Sequence, residues 1–183
     1  MFAAAVSEDE SLVLAMYYHA IPFLEHIDAS RAFLDPWLPW VAKIVDEESA
    51  RSFIQRFLDK LAVADGLLAF IHRDAQICGG VLLRTIDWQA RRTEVGYWID
   101  EREAARGLAT RAVAKMVGHV FDELSLDRVD LQAATTNRSS CRLAERLGFT
   151  KEGTIRAASI MDGKAADHAL YGLLRVDRKV GVS

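Results

Sequence analysis

Trp98-Ile99-Asp100-Glu101-Arg102-Glu103-Ala104-Ala105-Arg106-Gly107-Leu108-Ala109-Thr110 carries the chain from a strand through a short loop into its most regular amphipathic helix. A helix that opens directly after a strand aims several unpaired backbone N–H groups, and the positive end of its dipole, at one spot. That spot suits a phosphate. Glycine at 107 lets backbone approach a ligand closely, although taken alone it also fits an ordinary turn.

Downstream, Ala109, Ala112, Val113, Met116, Val117, Val120, Phe121 and Leu124 fall on one helical stripe, so this helix packs on a sheet. Val129, Leu131 and Ala133 alternate within a strand from Arg128 to Ala134. A short helix from Ser139 follows and stops at Gly148, which suits a left-handed C-terminal position. Asp162-Gly163 between two extended segments signals a hairpin.

Upstream, Leu12 to Met16 reads as a first strand, and Pro22 lies near the start of a helix to Leu34 that Pro36 and Pro39 break. Phe53, Phe57, Leu58 and Leu61 set a helical period from Glu47 to Ala64, with Gly66 expected to end it. Leu67 to Ile71 and Ile77 to Ile86 form strands around the turn Arg73-Asp74-Ala75-Gln76, and Thr93 to Ile99 forms the next strand. The order β, α-α, β-β-β, α, β, α, β-β implies an α/β (α+β) fold with a mixed sheet flanked by helices.

With 183 residues, 51% hydrophobic and 27% charged, the chain fits a single domain over 1–183. No apolar run approaches the ~20 residues that span a bilayer. Met1 to Val6 lacks the basic start and long apolar region of a signal peptide, so a cytoplasmic location without membrane contact is expected. Cys78 and Cys141 are too few for a disulfide scaffold, and no metal site is expected. The net charge of −3 argues against a nucleic-acid partner.

The ensemble resembles the GNAT acetyltransferases of the RimJ/RimL type. The resemblance rests on Gly96-Tyr97-Trp98, Arg106-Gly107-Leu108-Ala109-Thr110, Asn137 with Ser140, Ala144-Glu145-Arg146-Leu147-Gly148-Phe149, Asp162-Gly163, Asp167-His168 and Tyr171-Gly172-Leu173, with Trp37-Leu38-Pro39-Trp40 near the start. It covers nearly the whole chain, most firmly residues 93–174. It implies a mostly antiparallel sheet splayed between the strands at Thr93 to Ile99 and Arg128 to Ala134, with acetyl-CoA as cofactor and CoA as product. Pantetheine would bond the strand backbone at Trp98 and Ile99, and pyrophosphate the amides of Arg106, Gly107, Leu108, Ala109 and Thr110. Asn137, Ser140 and Arg142 complete the implied cofactor contacts.

For catalysis the resemblance implies an oxyanion donor on the Trp98 strand and Ser140 as the proton donor to the departing sulfur. Asn137 and Ser140 also suit helix capping. The base is open among Glu94, His168 and water. Glu94 lies two and four residues from Gly96 and Trp98 and so shares their face, but it also suits an ion pair with Arg91 or Arg92. His168 titrates near neutrality, and Asp167 beside it could orient the ring. Two positions depart from the family pattern: Ala104 replaces a Gln or Arg of the loop, and Ser159 replaces a Glu. Trp37, Trp40 and Trp88, with Tyr17 and Tyr18, are candidates for the acceptor groove, or for core packing. The implied acceptor is a primary amine, such as a ribosomal protein N-terminus. A small-molecule amine or antibiotic, or a non-catalytic acyl-CoA-binding module, remains an alternative, and a homodimer is a further expectation from the family.

Overall fold

Strand alternation and helix periodicity leave each apolar face needing a partner, and the computed structural model, which describes residues 3–161 and 163–178, shows how the faces meet. The elements are β1 (Ala3–Ala5), β2 (Glu10–Leu14), α1 (Ala20–Leu34), α2 (Glu47–Ala62), β3 (Leu67–Arg73), β4 (Gln76–Asp87), β5 (Arg92–Ile99), α3 (Leu108–Asp122), β6 (Arg128–Ala134), α4 (Arg138–Arg146), β7 (Thr150–Met161) and β8 (Lys164–Leu174). Strand β1 is not among the sequence expectations; Ala3 to Ala5 has no alternation to reveal it and forms by pairing with β2. Of the expected hairpin turn, Gly163 is left-handed at φ 72° and Met161 pairs with Lys164, while Asp162 lies outside the described residues.

One eight-stranded sheet runs in the order β1-β2-β3-β4-β5-β6-β8-β7. Its neighbours pair antiparallel except β5 and β6, which run parallel and pair only from Arg92 with Arg128 to Glu94 with Asp130. Beyond Glu94 the two strands part, while β5 stays on β4 through Ile99 and β6 stays on β8 through Ala134. The sheet is therefore splayed.

Helices α3 and α4 cover one face, with Met116, Val120 and Phe121 meeting Val95, Leu131 and Tyr171. On the other face α1 and α2 bring Phe23, Ile27 and Phe53 onto Leu68, Phe70 and Trp98. The rings of Trp40 and Trp98 lie 5.2 Å apart and those of Trp40 and Phe53 4.7 Å, so this face is held by aromatic contacts worth about 1 kcal/mol each beyond burial. Buried His26 accepts the Trp98 indole N–H at 3.1 Å, and burial lowers its pKa to about 4, which keeps the ring neutral and able to accept.

Helix α2 ends two residues before the expected point. The left-handed residue is Ala64, φ 55°, rather than Gly66. Gly66 instead passes close to β4: a Cβ there would come within 2.6 Å of the Leu83 carbonyl oxygen.

Candidate active site

Asp100 ends β5 and turns the chain. Its buried carboxylate accepts the Glu103 N–H at 2.9 Å, and a short 3-10 turn leads into the loop before α3. Ala105 (φ 63°) and Gly107 (φ 80°) are both left-handed, a conformation that costs a side chain ~1–2 kcal/mol and that glycine takes freely. Turns engage the amides of Ala104 and Arg106, which donate to Glu101 O and Glu103 O at 3.1 and 3.3 Å. Among the described residues no acceptor meets the amides of Ala105 and Gly107, or those of Leu108, Ala109 and Thr110 in the first turn of α3. The loop thus presents open donors from 107–110, whereas the Arg106 amide, expected to be among them, is engaged by the turn. The Arg106 side chain is exposed and 3.7 Å from Glu103.

The loop is fixed from the far side. Arg111 Nε donates to Glu10 Oε2 at 2.8 Å, and Arg111 Nη1 donates to Arg106 O at 3.2 Å. Arg73 bridges Glu10 and Glu103. The hydrogen bond from Arg111 is the largest influence holding the buried Glu10 carboxylate at a pKa of about 2.

Within the splay, the Asp100 N–H donates to Cys78 O on β4 at 2.9 Å. Backbone groups alternate along an extended strand, so the N–H of Trp98 also faces β4, and those of Tyr97 and Ile99 face the opening. Of the two residues expected to offer backbone to pantetheine, Ile99 therefore faces the opening, whereas Trp98, whose indole is also buried, turns its N–H to β4; Tyr97 joins Ile99 at the opening. Across the opening, Asn137 caps α4 by accepting the Ser140 N–H at 3.1 Å. Ser140 is buried and hydrogen-bonds the phenol of Tyr97, whose pKa burial pushes upward.

One cavity of about 580 Å³ runs through the splay, lined from both faces of the sheet. On the α3/α4 side it touches Gly107, Thr110, Asn137, Ser140, Arg142 and Arg146; on the α1/α2 side, Phe33, Trp37, Leu38, Arg84, Met161 and His168. Most arginines of the chain hold a carboxylate, but Arg138, Arg142 and Arg146 have no ion pair among the described residues and recur every four residues along α4. Neither Arg146 nor Tyr97 is among the sequence expectations for the site; the four-residue spacing from Arg142 is the signal for Arg146.

On the α1/α2 side Glu94 is bound by Arg84 Nε at 3.0 Å, not by Arg91 or Arg92, and Gln132 lies 3.4 Å from it. Burial raises its pKa, Arg84 opposing, and Glu94 is not among the residues that line the cavity. His168 lines the cavity, with Nε2 2.9 Å from Ser159 Oγ. Burial, then Arg84, lowers its pKa. Asp167 does not touch the ring; its carboxylate accepts the Ala157 N–H at 2.9 Å. Of the aromatic candidates, Trp37 lines the cavity, Trp40 is in the core, and Trp88, Tyr17 and Tyr18 are not in the lining.

Residues 14–150 match the acetyltransferase (GNAT) domain family. The chain belongs to that family. It is 30% identical over 176 residues to the putative ribosomal N-acetyltransferase YdaF of Bacillus subtilis (strain 168), covering 96% of each chain. It is 24% identical over 166 residues to the ribosomal-protein-serine acetyltransferase of Escherichia coli (strain K12), covering 91% of this chain and 93% of that one. A solved structure of RimL, a ribosomal L7/L12 alpha-N-protein acetyltransferase in complex with coenzyme A, superposes with a TM-score of 0.91 at 20% identity, over 94% of this chain and 98% of that one. As a GNAT enzyme this protein is an N-acetyltransferase with acetyl-CoA as its cosubstrate. The splay with its unpaired strand backbone and the open amides before α3 suit such a molecule. Among the described residues, no helix is long and apolar enough to cross a membrane.

Proposed function

We propose that this GNAT enzyme acetylates the α-amino group of a protein N-terminus, of the ribosomal-protein kind, by direct attack of the amine on acetyl-CoA. The observation that carries this reading is the single cavity through the splayed sheet. Its α3/α4 end offers main-chain donors and unpaired arginines suited to phosphates, and its α1/α2 end offers an apolar rim suited to an incoming chain.

Acetyl-CoA supplies an activated acyl carbon and a thiolate leaving group. The amides of Gly107 to Thr110 hold the pyrophosphate, with Arg106 and Arg142 adding charge at its edges. Tyr97 and Ile99 offer backbone N–H groups at the opening, so one of them, rather than Trp98, donates to the developing oxyanion. Ser140, supported by the Tyr97 phenol, donates to the leaving sulfur, and Asn137 keeps α4 in place for it. Glu94, tied to Arg84, balances charge behind the amine. Backbone donors carry most of the affinity of such loops, so Ala104 removes one side-chain contact without removing the site.

The chemistry of the acceptor favours an α-amine, whose pKa of ~7.7–8.0 leaves a usable neutral fraction at pH 7, over a lysine at ~10.4. Relatives named for ribosomal substrates support the same choice, and such an acceptor places the reaction in the cytoplasm. The test is a free-thiol release assay with peptides bearing bacterial ribosomal N-termini, against Nα-blocked copies, polyamines and aminoglycosides. Turnover of the free peptides alone supports the reading, whereas exclusive turnover of a polyamine or aminoglycoside overturns it.

A further inference from the structure

Two residues on the acceptor face remain after these roles are assigned, Ser159 and His168, which lie beside the Arg84–Glu94 pair. Paired residues of an antiparallel ladder share a face, so His168, opposite Ala134, lies on the side of Gln132 and Glu94, facing α1. Ser159 pairs with Ala166, two residues before His168, and so lies on the same face as a diagonal neighbour of the ring, while His168 itself pairs with Ile155. A bulge between Ile155 and Ser159 shifts the register there, with Ala157 left-handed at φ 50°. The carboxylate of Asp167 accepts the Ala157 N–H and so caps this bulge, and Ser159 Oγ comes to 2.9 Å from His168 Nε2. Nδ1 of His168 has no hydrogen bond within the described chain, and the ring lines the cavity.

We propose that His168 is the proton acceptor for the attacking amine, with Ser159 and the Asp167-capped bulge as its positioning residues. This rests on the acetyltransfer reading above. Ser159 Oγ accepts the Nε2–H, which fixes the ring and leaves the Nδ1 lone pair toward the cavity. As the C–N bond forms and the C–S bond breaks, one amine proton passes to Nδ1 and the thiolate takes a proton from Ser140. The imidazolium then releases its proton to solvent, and Ser140 regains one. Glu94 is a poorer acceptor because Arg84 holds it and it does not line the cavity. The charged group facing His168 is Arg84 from β4, itself paired with Glu94 of β5, and Asp167 is turned to the other side; α1 contributes the apolar Phe33 and Leu34. Burial and Arg84 keep the ring neutral at pH 7, the form a base requires.

The test begins without cosubstrate. Nitrogen-resolved NMR of the free protein should show His168 with Nε2 protonated and Nδ1 bare, titrating below the ordinary histidine range, and Ser159→Ala should disturb that tautomer. In turnover, His168→Gln should lower kcat about 10²–10⁴-fold with acetyl-CoA affinity unchanged. It should also abolish the acidic limb of the kcat–pH profile that stays fixed when acceptors of different amine pKa are compared. Free imidazole should restore part of the rate to His168→Ala. Ser159→Ala should lower kcat less and keep the limb. An unaltered kcat and limb in His168→Gln, or an Nδ1-protonated ring, overturns the assignment while leaving acetyltransfer intact. Wild-type protein that binds acetyl-CoA and acetylates no amine overturns the parent reading instead.

Discussion

Ser140→Ala is the substitution on which the leaving-group half of the mechanism turns. The structure separates its catalytic cost from its folding cost. Asn137 caps α4 through the backbone N–H of residue 140, which alanine retains, and alanine is the better helix former. What is lost is the hydroxyl, together with its bond to the Tyr97 phenol. Tyr97 lines the cavity, so its hydroxyl can meet water there, and the stability loss should stay near 1 kcal/mol. For a chain of this size that is about 2–4 °C in Tm. A hydrogen bond to a group that becomes charged in the transition state is worth ~1.5–3 kcal/mol, which corresponds to about a 10- to 150-fold fall in kcat. Tyr97→Phe removes only a neutral supporting bond and should cost about 2- to 10-fold. Because the phenol acts through the serine, the double variant should be no slower than Ser140→Ala. The assay is thiol release with both substrates saturating, alongside calorimetric titration of acetyl-CoA, in which affinity should hold. An unchanged kcat in Ser140→Ala removes the serine from the mechanism, and fully additive losses remove the coupling to Tyr97.

Three further outcomes follow from the cofactor end. Gly107→Ala places a Cβ at φ 80° and 2.9 Å from Arg111 Nη1, so it should cost about 1–2 kcal/mol in thermal unfolding and weaken acetyl-CoA in calorimetry. Arg142→Ala with Arg146→Ala should weaken CoA about 5- to 30-fold, from one or two partly exposed charge-assisted bonds, with a flatter salt dependence; equal affinity to wild type at low salt would remove both arginines from the site. Glu10→Gln should lower stability by about 3 kcal/mol, the free energy of a carboxylate moved from 4.5 to about 2. The folded-state pKa is depressed, so this contribution is full above about pH 4.5 and fades as pH falls toward 2. The stability difference between Glu10→Gln and wild type, from denaturant unfolding at several pH values, should therefore shrink across that window.

The strand-loop-helix unit was legible because each part is locally encoded: alternation in β5, a left-handed glycine, and a 3.6-residue stripe in α3. The splay was implied by family resemblance alone, since it depends on where two strands separated by α3 stop pairing, and no local pattern records that. Amide direction is unrecorded for the same reason: Glu94, Gly96 and Trp98 share a side, but pairing with β4 turns the Trp98 N–H inward, so the open donors belong to Ile99, as expected, and to Tyr97. Ser159 and His168 were each noticed singly. Their contact follows from the hairpin register, in which Ser159 pairs with Ala166 and so lies diagonal to His168 on one face, while the bulge beyond Ser159, capped by Asp167, sets Ile155 opposite the histidine.

The arrangement also bears on which amine can react. In the proposed reading, cofactor and acceptor enter from opposite faces and meet where β5 and β6 have stopped pairing, inside the cavity that both faces line. The proton acceptor on that face is a desolvated imidazole beside Arg84, a weaker base than a free histidine. Such a base serves an amine that is already partly neutral. Moving from an α-amine near 8 to a lysine near 10.4 lowers the neutral fraction at pH 7 by about 300-fold, and nothing on the acceptor face is basic enough to recover it. Raising the pH toward 10 should therefore narrow the gap in kcat/KM between a peptide α-amine and a lysine side chain by about two orders of magnitude. A gap that stays constant from pH 7 to 10 would show that shape, rather than amine ionisation, sets the choice.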